Sequence, residues 1–505
     1  MPRVHKPAPP PVDPILQTFR GDPKAAIALH PLEQAILVIV GVHLCFMPWA
    51  LGTMHVWSQF ISLGLAVAGL GVALVNRRYT AEFSHADAFT LIMWPKLVRF
   101  PIFWLGLALL GYIVIQALNP AWVYAVNGGV PWLVPLEHIT WLPAGIEAPF
   151  QKMNAWRALM IYGSAWLLVC ALWVGVTRRA TLQHLLTIVV VNGTVLSIVG
   201  ILQRGMGTKK LLWFVDTWPY FFSTFIYKNH AGAYFNLVFM ISVALAYWHF
   251  TRAERRMQRS NPASFFAFCA VLLGIGVLLA HSKAAILLLI AFSAIAFMGF
   301  VVRYKSSNDG ENRNFLTIGA LGVIFILFIG LGTAQLGLNQ SFDGVSKLID
   351  KGSDDASVSG RMIAQKAAWD MAKDNLVTGW GAGGFRHMFP MYQRNYPEIY
   401  YTYRSPQVSR LLYWEYAHND YIQLLDELGL IGAGLFLAMA VCTLRCLIKN
   451  RFYHRPHLLL VVLALAALLV HCWVDFQSHN PAILLLGCAS AALACRWAEL
   501  ENRRV

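Results

Sequence analysis

The feature that most constrains this chain is a series of about twelve apolar segments, most of them close to the length that a helix needs to cross a bilayer. Hydrophobic residues make up 57% of the 505 and charged residues 13%, whereas a soluble domain of this size needs far more charge to cover its surface. The sequence therefore predicts an all-α polytopic membrane protein. The predicted spans are residues 35–51, 57–75, 101–117, 158–176, 185–202, 231–250, 265–280, 284–302, 315–336, 428–444, 458–472 and 482–495.

The distribution of basic residues predicts how the chain is oriented. With the N-terminus in the cytoplasm, inner segments carry about 24 Lys and Arg against about 10 Asp and Glu, and outer segments about 16 against about 15. Arg77 with Arg78, and Arg178 with Arg179, lie in short inner loops. The formal net charge of +15 is therefore interpreted as a topogenic signal, with both termini cytoplasmic and no nucleic-acid partner.

The spans also predict the organisation of the chain. Residues 1–30 and 498–505 are expected to be cytoplasmic tails, 31–336 to hold spans one to nine, and 428–497 to hold spans ten to twelve. A first long loop, near 118–157, and a second long loop, 337–427, are expected on the outer side. Long ordered loops between short-looped helices usually carry function.

Local signals predict helices in the second long loop. Residues 360–376 have an apolar stripe that is typical of an amphipathic helix, with Ser359 as its cap. The glycine-rich residues 379–384 then break that helix. A further helix is expected to begin near His418 and to continue into the tenth span.

Basic residues at the outer ends of spans oppose the positive-inside rule, so they require another explanation. Arg204 ends span five, Lys228 precedes span six, and Lys283 lies in a short turn between spans seven and eight. One interpretation is that Arg204 and Lys228 snorkel to lipid headgroups and that Arg361 pairs with Asp354 or Asp355. The other is that these cations bind an anionic ligand.

Histidines in the same region offer acid–base chemistry. His418 lies where the second long loop returns to the membrane, and a neutral imidazole there can accept a proton from a hydroxyl. The alternative is a capping or packing role. His471 and Asp475, four residues apart, are expected to hold two helices together, and Arg386 and His387 are expected to be surface groups.

The residues do not predict a cofactor. The glycines at 379–384 follow no predicted strand, so they indicate a tight turn rather than a dinucleotide loop. Glu415, His418 and Asp420 are the only outer set that suggests a metal, and no multi-histidine cluster supports it. All eight cysteines lie in or beside apolar segments, which predicts no disulfide framework.

Several motifs resemble the O-antigen ligase and polysaccharide polymerase superfamily. They are residues 417–432 (AHNDYIQLLDELGLIG), the Arg–Trp–Gly-x-Gly–Phe–Tyr pattern from Arg361 to Tyr392, residues 225–232 (FIYKNHAG), and residues 471–476 (HCWVDF) followed by Asn480. The resemblance extends over about residues 203–482. Lys228 and Lys283 stand where members usually carry arginine, so the bidentate grip on phosphate is lost at these points.

The resemblance implies an enzyme that moves a glycan from an undecaprenyl-diphosphate carrier to lipid A core or to another repeat unit. It implies an inverting, metal-independent transfer at the periplasmic face of the bacterial inner membrane. His418 and Arg361 are then the expected catalytic residues, and Arg204, Lys228 and Lys283 the expected diphosphate-binding residues. Supporting roles are expected for Asn229, His230, Asn419, His471 and Asp475.

The alternative from a different class is a lipid-linked glycan flippase or another transporter. A transporter of this kind is expected to show internal repeats and polar groups along a path through the bilayer. The sequence shows no repeat, and its unexplained ionisable groups gather on one side. Transfer is therefore favoured over transport.

Overall fold

The computed structural model describes residues 28–80, 82–83, 88–127, 130–217, 219–257, 260–306, 356–405 and 408–502. Its helices are α1 (Pro31–Trp49), α2 (Val56–Leu74), α3 (Trp94–Val98), α4 (Pro101–Leu118), α5 (Ala155–Gly175), α6 (Arg179–Gly205), α7 (Lys228–Arg255), α8 (Ala263–Leu279), α9 (Lys283–Ser306), α10 (Ala356–Asp374), α11 (Phe385–Gln393), α12 (Pro397–Tyr400), α13 (Asp420–Lys449), α14 (Pro456–Val474) and α15 (Pro481–Asn502).

Within the described ranges, nine helices are long and apolar enough to cross a membrane: α1, α2, α4, α5, α6, α7, α13, α14 and α15. Two shorter apolar stretches, Ala263–Leu279 and Lys283–Met298, match the seventh and eighth predicted spans. The ninth predicted span, 315–336, lies outside the described residues. The polytopic helical architecture is confirmed, and the count of twelve spans stays a prediction.

The expectation of an all-α fold needs correction, because short strands occur in the loops. The strands are β1 (Arg77–Tyr79), β2 (Phe89–Leu91), β3 (Pro120–Asn127), β4 (Val130–Pro135), β5 (Gly145–Glu147), β6 (Tyr401–Ser405) and β7 (Val408–Leu411). β1 pairs with β2 and β6 with β7, both antiparallel. In the first long loop, β3 pairs antiparallel with β4 and parallel with β5. Alternating aromatic and β-branched residues in β3 and β4 favour this pairing.

The two long loops share one hydrophobic core, separate from the core of the helix bundle. Leu133 and Ile146 of the first long loop pack with Ala367, Met371 and other residues of the second. Burial of these apolar side chains fixes α10 and α11 against the sheet of the first loop.

The predicted helix at 360–376 is present, but it begins earlier than expected. α10 starts at Ala356, so Ser359 lies inside the helix and does not cap it. A serine that favours the N-cap position does not set the start of a helix when the residues before it also adopt helical backbone.

The glycine-rich segment contacts α13 near its internal break through close backbone approaches. Gly379 has φ +68°, and a Cβ there would lie 2.5 Å from the carbonyl carbon of Glu427. Gly429 breaks α13 with φ +61°, and a Cβ there would lie 2.3 Å from the oxygen of Val377. Only glycine fits these positions without strain. This contact agrees with the predicted tight turn, and it holds the segment against α13 at the break in that helix.

Candidate functional site

A buried carboxylate, Asp475, lies at the centre of the candidate site. It follows the last residue of α14 and is 1% exposed. One oxygen, Oδ1, lies 2.9 Å from Nδ1 of His418, and the other, Oδ2, lies 3.8 Å from a guanidinium nitrogen of Arg361. The Asn229 amide and the Tyr227 hydroxyl also donate hydrogen bonds to Oδ2. Three parts of the chain that are distant in sequence therefore meet at one acid.

The acid is ionised because its partners outweigh its burial. Burial alone would raise the pKa of Asp475, but the hydrogen bond from His418 and the positive charge of Arg361 hold that pKa below its usual range. A carboxylate in this state accepts hydrogen bonds and donates none. The Nδ1 atom of His418 is therefore assigned the proton, which leaves the lone pair on Nε2.

His418 is held in a backbone conformation that directs its ring to Asp475. Its φ is +53°, in the left-handed region that costs energy for a residue with a side chain. Gln365 donates a hydrogen bond to its carbonyl oxygen at 2.9 Å, and Asn419 caps α13 by accepting from the backbone of Tyr421 and Ile422. These bonds hold the backbone around His418, and the contact of Nδ1 with Asp475 fixes the orientation of the ring.

The outward side of the His418 ring is accessible. The side chain is 19% exposed, and Nε2 makes no hydrogen bond with any residue of the described ranges. Phe476 and Trp414 contact the ring edge-on, with centroids 4.8 and 5.5 Å away. A neutral imidazole with a carboxylate on one nitrogen and an accessible lone pair on the other is suited to accept a proton.

Arg361 lies beside this pair. One of its guanidinium nitrogens donates to the carbonyl of Val474 at 3.3 Å and another to the hydroxyl of Tyr227 at 3.1 Å. Its partner is Asp475; Asp354 and Asp355, the partners considered from sequence, lie outside the described residues. The side chain remains 30% exposed, so the guanidinium is anchored and still accessible.

The remaining predicted cations lie close enough to act on one another. Lys228 begins α7 and Lys283 begins α9, while Arg204 lies in the last turn of α6. Lys283, Arg361 and Arg204 each exert an electrostatic effect on the Lys228 ammonium. Cations that converge in this way repel unless an anion lies between them. The two lysines also stand at helix N-termini, where the helix dipole favours an anion.

His281, in the turn before Lys283, responds to the same positive field. Burial, together with the nearby charges of Arg204 and Lys228, lowers its pKa to about 4. The imidazole is therefore neutral at physiological pH and adds no charge to the group of cations.

The residues expected in supporting roles have distinct places. Asn229 contacts Asp475 directly, and Asn419 caps α13. His230 is buried and lies 3.3 Å from the carbonyl oxygen of Phe476. His471 lies 3.1 Å from the amide of Gln477.

The four-residue spacing of His471 and Asp475 does not place them on one helix face. α14 ends at Val474, and Asp475 has extended backbone with φ −159° and ψ −176°. Its side chain therefore leaves the helix face on which His471 lies, and it reaches His418 instead.

Arg386 and His387 are not the surface groups that the sequence suggested. His387 is 1% exposed, its Nε2 lies 2.9 Å from the carbonyl oxygen of Met153, and burial lowers its pKa to about 4. The Arg386 guanidinium lies 5.0 Å above the Tyr416 ring and 3.6 Å from Glu415. The sheet of the first long loop covers this helix, which sequence alone did not reveal.

Sequence reasoning missed an aromatic wall beside His418. Tyr416 stacks on Phe476 with centroids 4.2 Å apart, and Tyr227 stacks on the same ring at 5.2 Å. A signal was present, because Tyr227 and Phe476 both lie inside the motifs that carry the resemblance. Flat aromatic faces of this kind can contact sugar rings.

The three residues considered for a metal have separate partners. Glu415 pairs with Arg386, His418 with Asp475, and Asp420 with His479 at 2.6 Å. Among the described residues no group of three or more acidic, histidine or cysteine side chains is arranged to hold a metal ion.

A family model described as O-antigen ligase matches residues 268–437. The matched stretch includes Lys283, Arg361 and His418, while Asp475 lies beyond it. A search of curated proteins finds no significant match. This match confirms the resemblance of the chain to the O-antigen ligase superfamily over about a third of its length.

Proposed function

We propose that this membrane protein is a glycosyltransferase that moves a glycan from an undecaprenyl-diphosphate carrier to an acceptor hydroxyl. We place the reaction at the periplasmic face of the bacterial inner membrane, with both termini in the cytoplasm. The O-antigen ligase domain supports transfer of this general type. The observation that carries the proposal is the pair of His418 and Asp475, 2.9 Å apart, beside Arg361 and the convergent lysines.

In this proposal His418 activates the acceptor. The acceptor oxygen attacks the anomeric carbon, and its proton passes to Nε2 of His418. Asp475 stabilises the imidazolium that forms, because the carboxylate is already ionised and bonded to Nδ1. General-base assistance of this kind contributes about 100- to 10,000-fold to a rate.

The cations stabilise the leaving group. As the bond between the anomeric carbon and the diphosphate oxygen breaks, its electron pair moves to the diphosphate. Arg204, Lys228, Lys283 and Arg361 supply positive charge that is already in place when this negative charge develops. Four fixed cations can perform the neutralisation that a metal ion performs elsewhere, so we propose that transfer is metal-independent. Attack opposite the departing diphosphate inverts the anomeric centre.

Lys283 offers a direct test of the diphosphate site. We expect Lys283→Ala to raise the KM for the lipid-linked donor about tenfold or more, since it removes a charge-assisted contact. Lys283→Arg keeps the charge, and we expect near-native donor use. Equal KM values for wild type and Lys283→Ala would exclude this lysine from donor binding.

The acceptor is either lipid A core or a further repeat unit, as for ligases and polymerases respectively. Deletion of the gene separates them. Loss of glycan length with attachment to lipid A retained indicates a polymerase, and loss of attachment with length retained indicates a ligase.

The decisive test of the function uses the purified full-length chain, an undecaprenyl-diphosphate glycan and each candidate acceptor. We expect a new glycosidic bond of inverted configuration, detected by NMR, at the same rate with and without EDTA. Movement of the donor across a vesicle membrane without a new bond would favour a transporter and overturn the proposal.

A further inference from the structure

A second group of cations surrounds a cavity at the opposite end of the helix bundle. α7 carries Lys228 and Asn229 at its first turn and Arg252, Arg255 and Arg256 at its other end. A helix of 28 residues spans about 42 Å at its regular rise per residue. This second group is therefore well separated from His418 and Asp475.

The cavity is large enough for one small ligand. Its volume is about 410 Å³, within the range of small-molecule sites, and it is lined by arginines from several elements together with Trp248 and Glu501. Arg179 comes from the start of α6, three arginines from the end of α7, and Arg455 from the turn before α14.

The charge of the cavity is not balanced within it. Five arginines line it, and Glu501 is its single acidic residue. That carboxylate already accepts from Trp497 at 2.9 Å and pairs with Arg179 at 3.4 Å and with Arg455 at 3.3 Å. Arginines placed around a shared cavity repel one another unless an anion enters.

Orientation of the chain does not explain this arrangement. The positive-inside rule requires basic residues in the loops on one side, at any position near the ends of the spans. It does not require them to converge from three elements on one cavity. Convergence on one cavity is the arrangement expected of a site that binds an anion.

The position of the cavity indicates the kind of ligand. It lies where α6 and α14 begin and where α7 and α15 end. All four helices are long and apolar enough to cross a membrane. Its wall includes the Trp248 ring, over which the Arg252 guanidinium lies at 4.9 Å. Basic pockets between the ends of transmembrane helices suit the headgroups of anionic lipids, and the guanidinium fork matches phosphate oxygens.

We propose that this cavity binds the phosphate-bearing headgroup of an anionic phospholipid from the leaflet that meets this end of the bundle. The lipid phosphate contacts the arginines at the end of α7, and its glycerol and first acyl carbons lie against Trp248. The site is separate from the proposed transfer site, so lipid binding is expected whether or not transfer is confirmed.

Arg255 and Arg256 provide the variant for the test. Both side chains are exposed, and neither makes a hydrogen bond or ion pair with another residue in the described part of the chain. The double variant Arg255→Gln with Arg256→Gln therefore removes two charges without removing an internal contact. The matched control is Arg445→Gln with Lys449→Gln, which removes two charges from exposed positions of α13 outside the cavity.

The measurement is native mass spectrometry of the full-length chain titrated with phosphatidylglycerol, phosphatidylcholine or inorganic phosphate. We expect the wild type to prefer phosphatidylglycerol, and the cavity variant to bind it about tenfold more weakly or worse, while the control variant binds as the wild type does. Thermal unfolding of each variant checks that it is folded. Equal binding by wild type and cavity variant, equal loss in the control, or no preference for phosphatidylglycerol over phosphatidylcholine would overturn the proposal. Displacement of the lipid by equimolar inorganic phosphate would assign the cavity to a free anion and overturn the lipid assignment.

Discussion

Two buried carboxylates, Glu33 and Asp475, show how similar chemistry serves different purposes. Glu33 accepts from the backbone of Thr177 and Arg178, from the hydroxyls of Thr177 and Thr181, and from Arg77. Both Glu33 and Arg77 are 0% exposed. Asp475 is equally buried, but its partners His418 and Arg361 are 19% and 30% exposed.

The two carboxylates differ in whether their partner side chains remain accessible to a ligand. Arg77 uses its second terminal nitrogen on the carbonyl of Gly175 at 2.7 Å, so its main contacts are internal. His418 keeps an accessible Nε2, and Arg361 keeps an accessible face. A closed network of this kind stabilises a fold, whereas an open one can also act on a ligand. The comparison predicts that changes at Asp475 affect rate and that changes at Glu33 affect stability.

The largest expected effect is that of His418→Ala on transfer. Loss of the base is expected to lower kcat about 100- to 10,000-fold, with the protein still folded in the membrane. The rate of transfer by purified protein measures the effect, and thermal unfolding checks folding. His138→Ala, at an exposed histidine of the first long loop, is the matched control. Near-native transfer by His418→Ala would remove the base from the account.

Asp475→Asn is expected to have the next largest effect. The amide keeps the shape of the side chain but no longer stabilises an imidazolium or fixes the proton on Nδ1, so kcat should fall about 100-fold or more. Asp216→Asn, at an exposed acid with an 82% exposed side chain, is the control. If Asp475→Asn lowered only the unfolding temperature and left kcat unchanged, Asp475 would have the same structural role as Glu33.

Glu33→Gln is expected to act on stability alone. It leaves the buried charge of Arg77 without its partner, which costs about 3–5 kcal/mol. We expect less folded protein and a lower unfolding temperature, with an unchanged rate per folded molecule. Glu137→Gln, at an exposed position, controls for the charge change. A selective loss of kcat in Glu33→Gln would contradict the comparison.

The smallest expected effect is on the pH dependence of stability. It concerns His479, which lies with Asp475 in the connection between α14 and α15. Burial alone would lower the pKa of His479, but the hydrogen bond and charge of Asp420, 2.6 Å away, raise it. A raised pKa stabilises the fold below the unfolded value of about 6.5, and this stabilisation is lost as pH rises through the folded pKa.

The wild type should therefore exceed His479→Gln in unfolding temperature by about 1–3 °C at pH 6. This difference should shrink as the pH is raised to 9. His138→Gln is expected to show no such change. A difference that grows with pH would mean that the His479 charge does not stabilise the loop.

The sequence predicted individual residues better than it predicted their neighbours. His418 and the cations stood out because ionisable groups beside apolar segments are costly without a purpose. Asp475, the partner of His418, did not stand out in the sequence. It lies 57 residues further on, and it follows the end of its helix in extended backbone. A periodicity argument assumes that the helix continues, whereas α14 ends before Asp475.

The loops show the same limit. The glycine-rich residues 379–384 were recognisable as a break, but nothing in the sequence joined Gly379 to Gly429, because their contact depends on tertiary packing. The burial of His387 likewise depends on the sheet of the first long loop, whose Tyr124 ring lies 4.7 Å from the imidazole. Contacts between the two long loops set the surroundings of the site, and single-sequence patterns do not report them.

The most direct measurement is photo-crosslinking of the full-length chain with an undecaprenyl-diphosphate glycan that carries a photoreactive group beside the diphosphate. Peptide mapping should place the adducts near Arg204, Lys228, Lys283, Arg361 and His418, and excess unlabelled donor should suppress them. Adducts confined to the arginines at the opposite end of α7 would contradict the account, because the diphosphate would then bind far from the imidazole that is proposed to activate the acceptor.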